Sequence, residues 1–157
     1  MSVFPNANLD RDGNFKGIQA NEAFKLESTW TFVNTTTGAV GSHTLFTVTG
    51  NVLASVFGIC DTSLAGSGAD FEVGVTGNTA GLIAQIADAE DLADGDIYID
   101  GTPEIGCAAV PSPQIINDGF DILLKITSVA VTAGVVDFYC LWRPLSSTGN
   151  ITVTTPA

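Results

Sequence analysis

Residues 120–145 read FDILLKITSVAVTAGVVDFYCLWRPL, and their alternation decides the fold class. In the second half Val136, Phe138, Cys140 and Trp142 fall on one side, while Val135, Asp137, Tyr139, Leu141 and Arg143 fall on the other. That is the period of two a strand requires. If Thr132, Ala133 and Gly134 form a three-residue loop closing on Val131 and Val135, the two halves make one long hairpin. Its register places Ile126 opposite Cys140 and Leu124 opposite Trp142, with the apolar sets of both arms on one face. A slip of one residue would turn that face to water, so the register is expected to be firmly held. These residues are core, and no reaction can be read from them.

Outward from this stretch, short alternating segments are separated by turn signals, the pattern of a sandwich or barrel. Strands are expected over Leu26–Val33, His43–Thr49, Val52–Cys60, Asp70–Thr76, Gly81–Ile86, Asp96–Ile99 and Ile151–Thr154. Tight turns are expected at Thr35–Gly38, Gly50-Asn51 and Gly77-Asn78, and a loop at Leu64–Gly68. Pro103–Pro113 reads as loop, since Pro111 and Pro113 cannot sit in a central strand. The total is about nine or ten strands, with at most one helical turn near Asp88–Leu92. Residues 1–25 differ: their apolar residues are isolated and their formal charges cancel. The expected organisation is therefore all-β, an antiparallel β-sandwich or jelly-roll-like barrel over residues 26–157, preceded by an extended N-terminal arm over residues 1–25.

At 157 residues the chain fits one domain, large enough to bury roughly 70% of its unfolded surface without a disulfide or metal. Its formal net charge is -12, and its five basic residues are Arg11, Lys16, Lys25, Lys125 and Arg143. That balance argues against a nucleic-acid or anionic membrane partner, because phosphate binding is driven by Lys and Arg. Twelve of the acidic residues lie between Asp61 and Asp121, where only solvent is expected to meet them. The content is 45% hydrophobic and only 14% charged, too little charge for a free monomer, so oligomerisation or docking is expected. Ser28–Cys60 contains no charged residue, but Asn34, Gly38, Gly41, Gly50 and Asn51 interrupt it and it alternates, so it is no membrane helix. The opening MSVFPNANLD has neither a basic start nor an apolar run, and no secretory signal is expected. Cys60, Cys107 and Cys140 are widely spaced and odd in number. Cys60 and Cys140 read as buried thiols, as suits folding in a reducing cytoplasm.

Each chemical motif has a plainer reading. Asn8–Gly13 matches the front of a calcium loop, but Gln19 stands where the bidentate carboxylate belongs, so an Asp-Gly turn accounts for it. Asp88, Glu90, Asp91, Asp94, Asp96 and Asp100 could hold a cation or act as paired carboxylates, yet they crowd one loop and read as a solvated face. His43 is the only histidine and has no nucleophile elbow to serve. It forms no short-spaced zinc set with the cysteines. Gly66-Ser67-Gly68 lacks the lysine of a phosphate loop. No catalytic residue, cofactor or metal site is expected. The outward set Tyr139, Leu141 and Arg143, with Val135, is too apolar for open water and calls for cover by a second sheet or another subunit. Asp121 is placed to reach Arg143 diagonally across the hairpin.

Leu45–Gly50 (LFTVTG), Gly77–Gln85 (GNTAGLIAQ) and Tyr139–Ser146 (YCLWRPLS), followed by Gly149-Asn150, resemble segments of small structural proteins encoded among the virion genes of tailed phages. The resemblance covers most of residues 40–155 and brings no catalytic residues with it. It implies a capsid decoration or cement protein: a β module on the capsid exterior, often a trimer, bound to the major capsid protein and clamping neighbouring capsomers. Synthesis would be in the host cytoplasm. On this view Phe4, Phe15 and Phe24 of the arm make the capsid contact. The rival readings are a tail- or fibre-associated virion module and a carbohydrate-binding β-sandwich. Exposure of Trp30 or Trp142 would favour the last, since sugar sites use aromatic platforms, but both alternate into the expected core.

Overall fold

A computed structural model describes residues 24–156. Ten strands run in chain order: β1 (Phe24–Thr31), β2 (Gly41–Thr49), β3 (Val52–Ala65), β4 (Phe71–Val75), β5 (Asn78–Ile86), β6 (Ile97–Tyr98), β7 (Gln114–Ile116), β8 (Ile122–Ile126), β9 (Ala133–Pro144) and β10 (Asn150–Val153). One 3-10 turn, Ala89–Asp91, lies where the helical turn was expected, and Asp88 caps it by accepting from Glu90 N–H. The strands form two antiparallel sheets. The first has the order β1-β9-β3-β6, with β7 also pairing β3; the second has the order β10-β2-β8-β4-β5. The sheets pack as a β-sandwich and do not close into a barrel. Ser28–Cys60 is spent on three of the strands, and no helix among the described residues is long and apolar enough to cross a membrane.

The alternation expected for β9 is present: Val136, Phe138, Cys140 and Trp142 are buried, and Val135, Asp137, Tyr139, Leu141 and Arg143 are half-buried on the other face. Leu124 and Ile126 are fully buried as well, together with Ile122. The long hairpin, however, does not exist. β8 pairs with β2 and β4 in the second sheet, while β9 pairs with β1 and β3 in the first. Cys140 stands between Leu26 and Val56, and Trp142 between Phe24 and Ala54. The two arms contribute to one hydrophobic core from opposite sheets, so period two reported their faces correctly and their pairing not at all.

The reason lies in residues 127–132, whose backbone groups bond elsewhere than to each other. Thr127 N–H donates to Asp70 O at 3.0 Å, Val131 N–H to Gly38 O at 2.9 Å and Thr132 N–H to Ala65 O at 2.7 Å. Ser128 takes a left-handed φ of 46°, which turns the chain out of the second sheet. The Asp70 carboxylate anchors this departure, accepting from the hydroxyls of Thr127 and Ser128 and from Gln85 Nε2. At the other end Gly134 (φ 113°) lies so close to β3 that a Cβ would come within 2.4 Å of Leu64 Cδ2. Gly58 serves a similar purpose in mid-sheet: opposite Phe138, it leaves room where a Cβ would meet Val136 Cγ1 at 2.9 Å.

Among the described residues three ring contacts join the layers. Trp30 meets His43 edge-on with ring centroids 5.8 Å apart, Phe32 meets Phe71 at 5.9 Å, and Tyr98 meets Phe71 at 5.1 Å. Tyr98, on β6 of the first sheet, also places its hydroxyl 3.1 Å from Phe71 O and 3.0 Å from Ala84 O, bonding to two strands of the second. Replacing Asp70 by Ala strips the crossing of its acceptor, so the urea midpoint should fall by the equivalent of about 1–3 kcal/mol. The exposed Asp61→Ala change should stay within about 0.5 kcal/mol of the parent.

Candidate functional site

Of the expected interface residues, the structure describes Phe24, Tyr139, Leu141 and Arg143. Phe4, Phe15 and the Asn8–Gly13 turn lie outside the described residues. Phe24 opens β1 and is 54% exposed, with its ring tilted over Trp142 at 5.0 Å. Tyr139, Leu141 and Arg143 point outward from β9, on the face of the first sheet turned away from the second. The second sheet therefore does not cover them. The diagonal that would bring Asp121 to Arg143 vanishes with the hairpin. Asp121 Oδ1 instead accepts from Val48 N–H at 2.9 Å, and Asp118 Oδ1 accepts from Gly50 N–H at 2.8 Å, holding the Gly50-Asn51 turn.

The outward face of the first sheet is where the apolar surface gathers. Phe57 on β3 pairs with Tyr139, their rings stacked 5.3 Å apart at 18°. Lys25 Nζ lies 5.7 Å from the Tyr139 ring centroid and 3.8 Å from Glu27. Leu53 and Ile59 extend the row along β3, and Ile115 on β7, 71% exposed, continues it past Leu53. Part of this face is roofed, since Ser55 Oγ donates to Pro111 O at 2.6 Å and is itself buried. Pro111 thus lies over Ser55 on the β3 side of this face. Sequence reasoning missed Phe57. Its signal was available, because the alternation that buries Val52, Ala54 and Val56 sends Leu53, Ser55, Phe57 and Ile59 outward.

Each stacked ring covers one face of the other, as suits close packing. Trp30 and Trp142 are both buried. Trp30 Nε1 donates to Thr37 O at 3.0 Å, whereas Trp142 Nε1 has no hydrogen-bond partner among the described residues. At one end of the sandwich a groove of about 310 Å³ is lined by Val75, Asn78, Ile115, Ile116 and Phe120. Thr76 and Asn117 line it too, so it mixes apolar and amide or hydroxyl groups, and it carries no titratable side chain.

Acidic side chains of residues 90–100 are taken up by backbone N–H groups. Asp96 Oδ2 accepts from Ala93 N–H, Asp100 Oδ1 from Thr102 N–H, and Glu90 Oε1 from Gly66 N–H. Among the described residues no three His, Cys, Asp or Glu side chains converge on a metal position. His43 Nε2 donates to Ala39 O at 2.7 Å and the ring packs on Trp30, a structural role. Comparison with family models, curated proteins and solved structures finds no match to this chain.

Cys60 and Cys140 are buried and Cys107 is exposed; all three are free thiols. Burial pushes the Cys60 thiol up to about 11, with Asp94, Asp96 and Asp61 adding to it, and burial alone pushes Cys140 up to about 12. Burial also raises the Tyr98 hydroxyl. Each group stays neutral in the folded chain where its unfolded counterpart ionises, so its contribution is intact below the unfolded pKa and is lost as pH climbs to the folded one. The urea midpoint should accordingly show no loss from the thiols up to about pH 9 and should fall between there and about pH 12. A thiol-directed disulfide reagent at neutral pH should label Cys107 in the native protein and reach Cys60 and Cys140 only after unfolding.

Proposed function

We propose that this chain is a structural virion protein, a capsid decoration or cement module of a tailed phage that binds the outer capsid lattice and stabilises contacts between capsomers. The observation that carries this reading is the half-exposed apolar row Phe57, Tyr139 and Leu141 on a rigid two-layer sandwich, a surface built for contact with protein. The likeness of Leu45–Gly50, Gly77–Gln85 and Tyr139–Ser146 to virion proteins supports it and supplies the partner, the major capsid protein. No catalytic step is required of such a module. It works by removing apolar surface from water at a seam, at about 25 cal/mol per Å², and so adds to the resistance of the shell against internal pressure. Phe24 is exposed at the margin of the first sheet, and residues 1–25, with Phe4 and Phe15, make the lattice contact.

Mixing the full chain with purified capsids lacking it, followed by imaging and copy counting, tests the reading. The expected result is saturable occupancy of lattice positions and shells that withstand higher temperature. Replacing Phe4, Phe15 and Phe24 together by Ala should weaken binding at least about tenfold. Density on the tail or fibres, or no association with particles, would overturn the proposal. No observation favours the carbohydrate reading, since both tryptophans are buried.

A further inference from the structure

The two tryptophans of the chain differ in one respect. Trp30 Nε1 donates to Thr37 O at 3.0 Å, whereas Trp142, only 7% exposed, keeps a buried Nε1 with no acceptor among the described residues. A buried donor left unpaired costs its full desolvation, and native proteins leave few such groups. We propose that residues 17–23, the segment leading into β1, fold back over Trp142 of the same chain and supply the missing acceptor. This contact goes beyond the decoration reading and does not require a capsid.

The place is set by where the chain enters the fold. Phe24 is the ladder partner of Trp142, with its ring tilted over the indole at 5.0 Å, and it is still 54% exposed. β1 is the edge strand of the first sheet, so no further strand of that sheet lies beyond Phe24 to cover the pair. Nor can the ladder carry the preceding chain onward in full. Continued in register, it would set Glu22 opposite Pro144, which has no N–H to donate. β1 accordingly begins at Phe24, beside the indole that lacks a partner.

Residues 17–23 read GIQANEA. Fully extended they span about 25 Å, so turning back over the few ångströms to the indole asks little of them. Every residue offers a backbone carbonyl, and Gln19, Asn21 and Glu22 add side-chain oxygens. No Lys or Arg stands among them to bring a competing donor. Ile18 is their one large apolar side chain, and it is the residue to cover the exposed Phe24 ring. On the decoration reading, the docked segment fixes the root of the arm. Residues 1–16, which reach about 55 Å when extended, then carry Phe4 and Phe15 from a set point to the lattice.

Nuclear magnetic resonance of the full chain tests the contact at the indole proton of Trp142. Nuclear Overhauser contacts are expected from that proton to protons of residues 17–23, Ile18 among them. Its exchange with solvent should be slow, and Ile18→Asp should speed it at least about tenfold. The Trp30 indole, held by Thr37, should exchange at the same rate in both chains. Contacts to bound water alone, or an exchange rate indifferent to Ile18→Asp, would overturn the proposal. In a mixture of chains carrying different isotopes the contacts should stay within one chain, and contacts found only between copies would overturn it equally. Capsid binding measured in parallel separates the two ideas: a docked segment on a chain that ignores capsids sinks only the decoration, and decoration without these contacts sinks only the docking.

Discussion

β9 is hydrogen-bonded along both edges, to β1 on one side and β3 on the other, so its two faces must each find an environment. One face sends Val136, Phe138 and Cys140 into the interior, in one core with the fully buried Ile122, Leu124 and Ile126 of the opposite sheet. Burying that face turns Tyr139, Leu141 and Arg143, half-buried, away from the second sheet. The stability of the sandwich and its apolar outer surface are two consequences of the same alternation. A strand at a sheet edge could have twisted away or been shortened; a central strand cannot.

The crossing between β8 and β9 makes this arrangement possible. Asp70 collects hydroxyl and amide donors where the chain leaves the second sheet, and Gly134 admits it close beside Leu64 in the first. Tyr98 ties the layers beside this crossing by bonding to the carbonyls of Phe71 on β4 and Ala84 on β5, the neighbours of Asp70 and Gln85. The polar groups inside this protein thus hold two sheets in register, and the acidic residues outside cap turns.

Period two made the strands and most of their inward residues legible, because it depends only on neighbours along the chain. Leu26, Ser28, Trp30 and Phe32 share a side as expected, and Phe71 and Val73 lie opposite Asp70 and Glu72. Pairing was not legible, because it depends on where loop backbones find their partners. Thr132-Ala133-Gly134 looks like a hairpin loop, yet Thr132 N–H bonds to Ala65 O and Phe32 N–H bonds to Gly134 O. β3 also outran its expected end at Cys60, continuing through two register shifts to Ala65. Of the candidate surface, Tyr139, Leu141 and Arg143 could be read as outward from their own strand. Phe57 could be joined to them only once β3 was known to lie beside β9.

The account depends on the Phe57–Tyr139–Leu141 face being hidden from water when the protein is assembled. Hydroxyl-radical footprinting of the dilute chain and of intact particles measures this residue by residue. Strong protection of Phe57, Tyr139 and Leu141 in particles, with the exposed Val40 and Val129 on other surfaces serving as references, is the predicted result. Equal oxidation of those three residues in both states would contradict it.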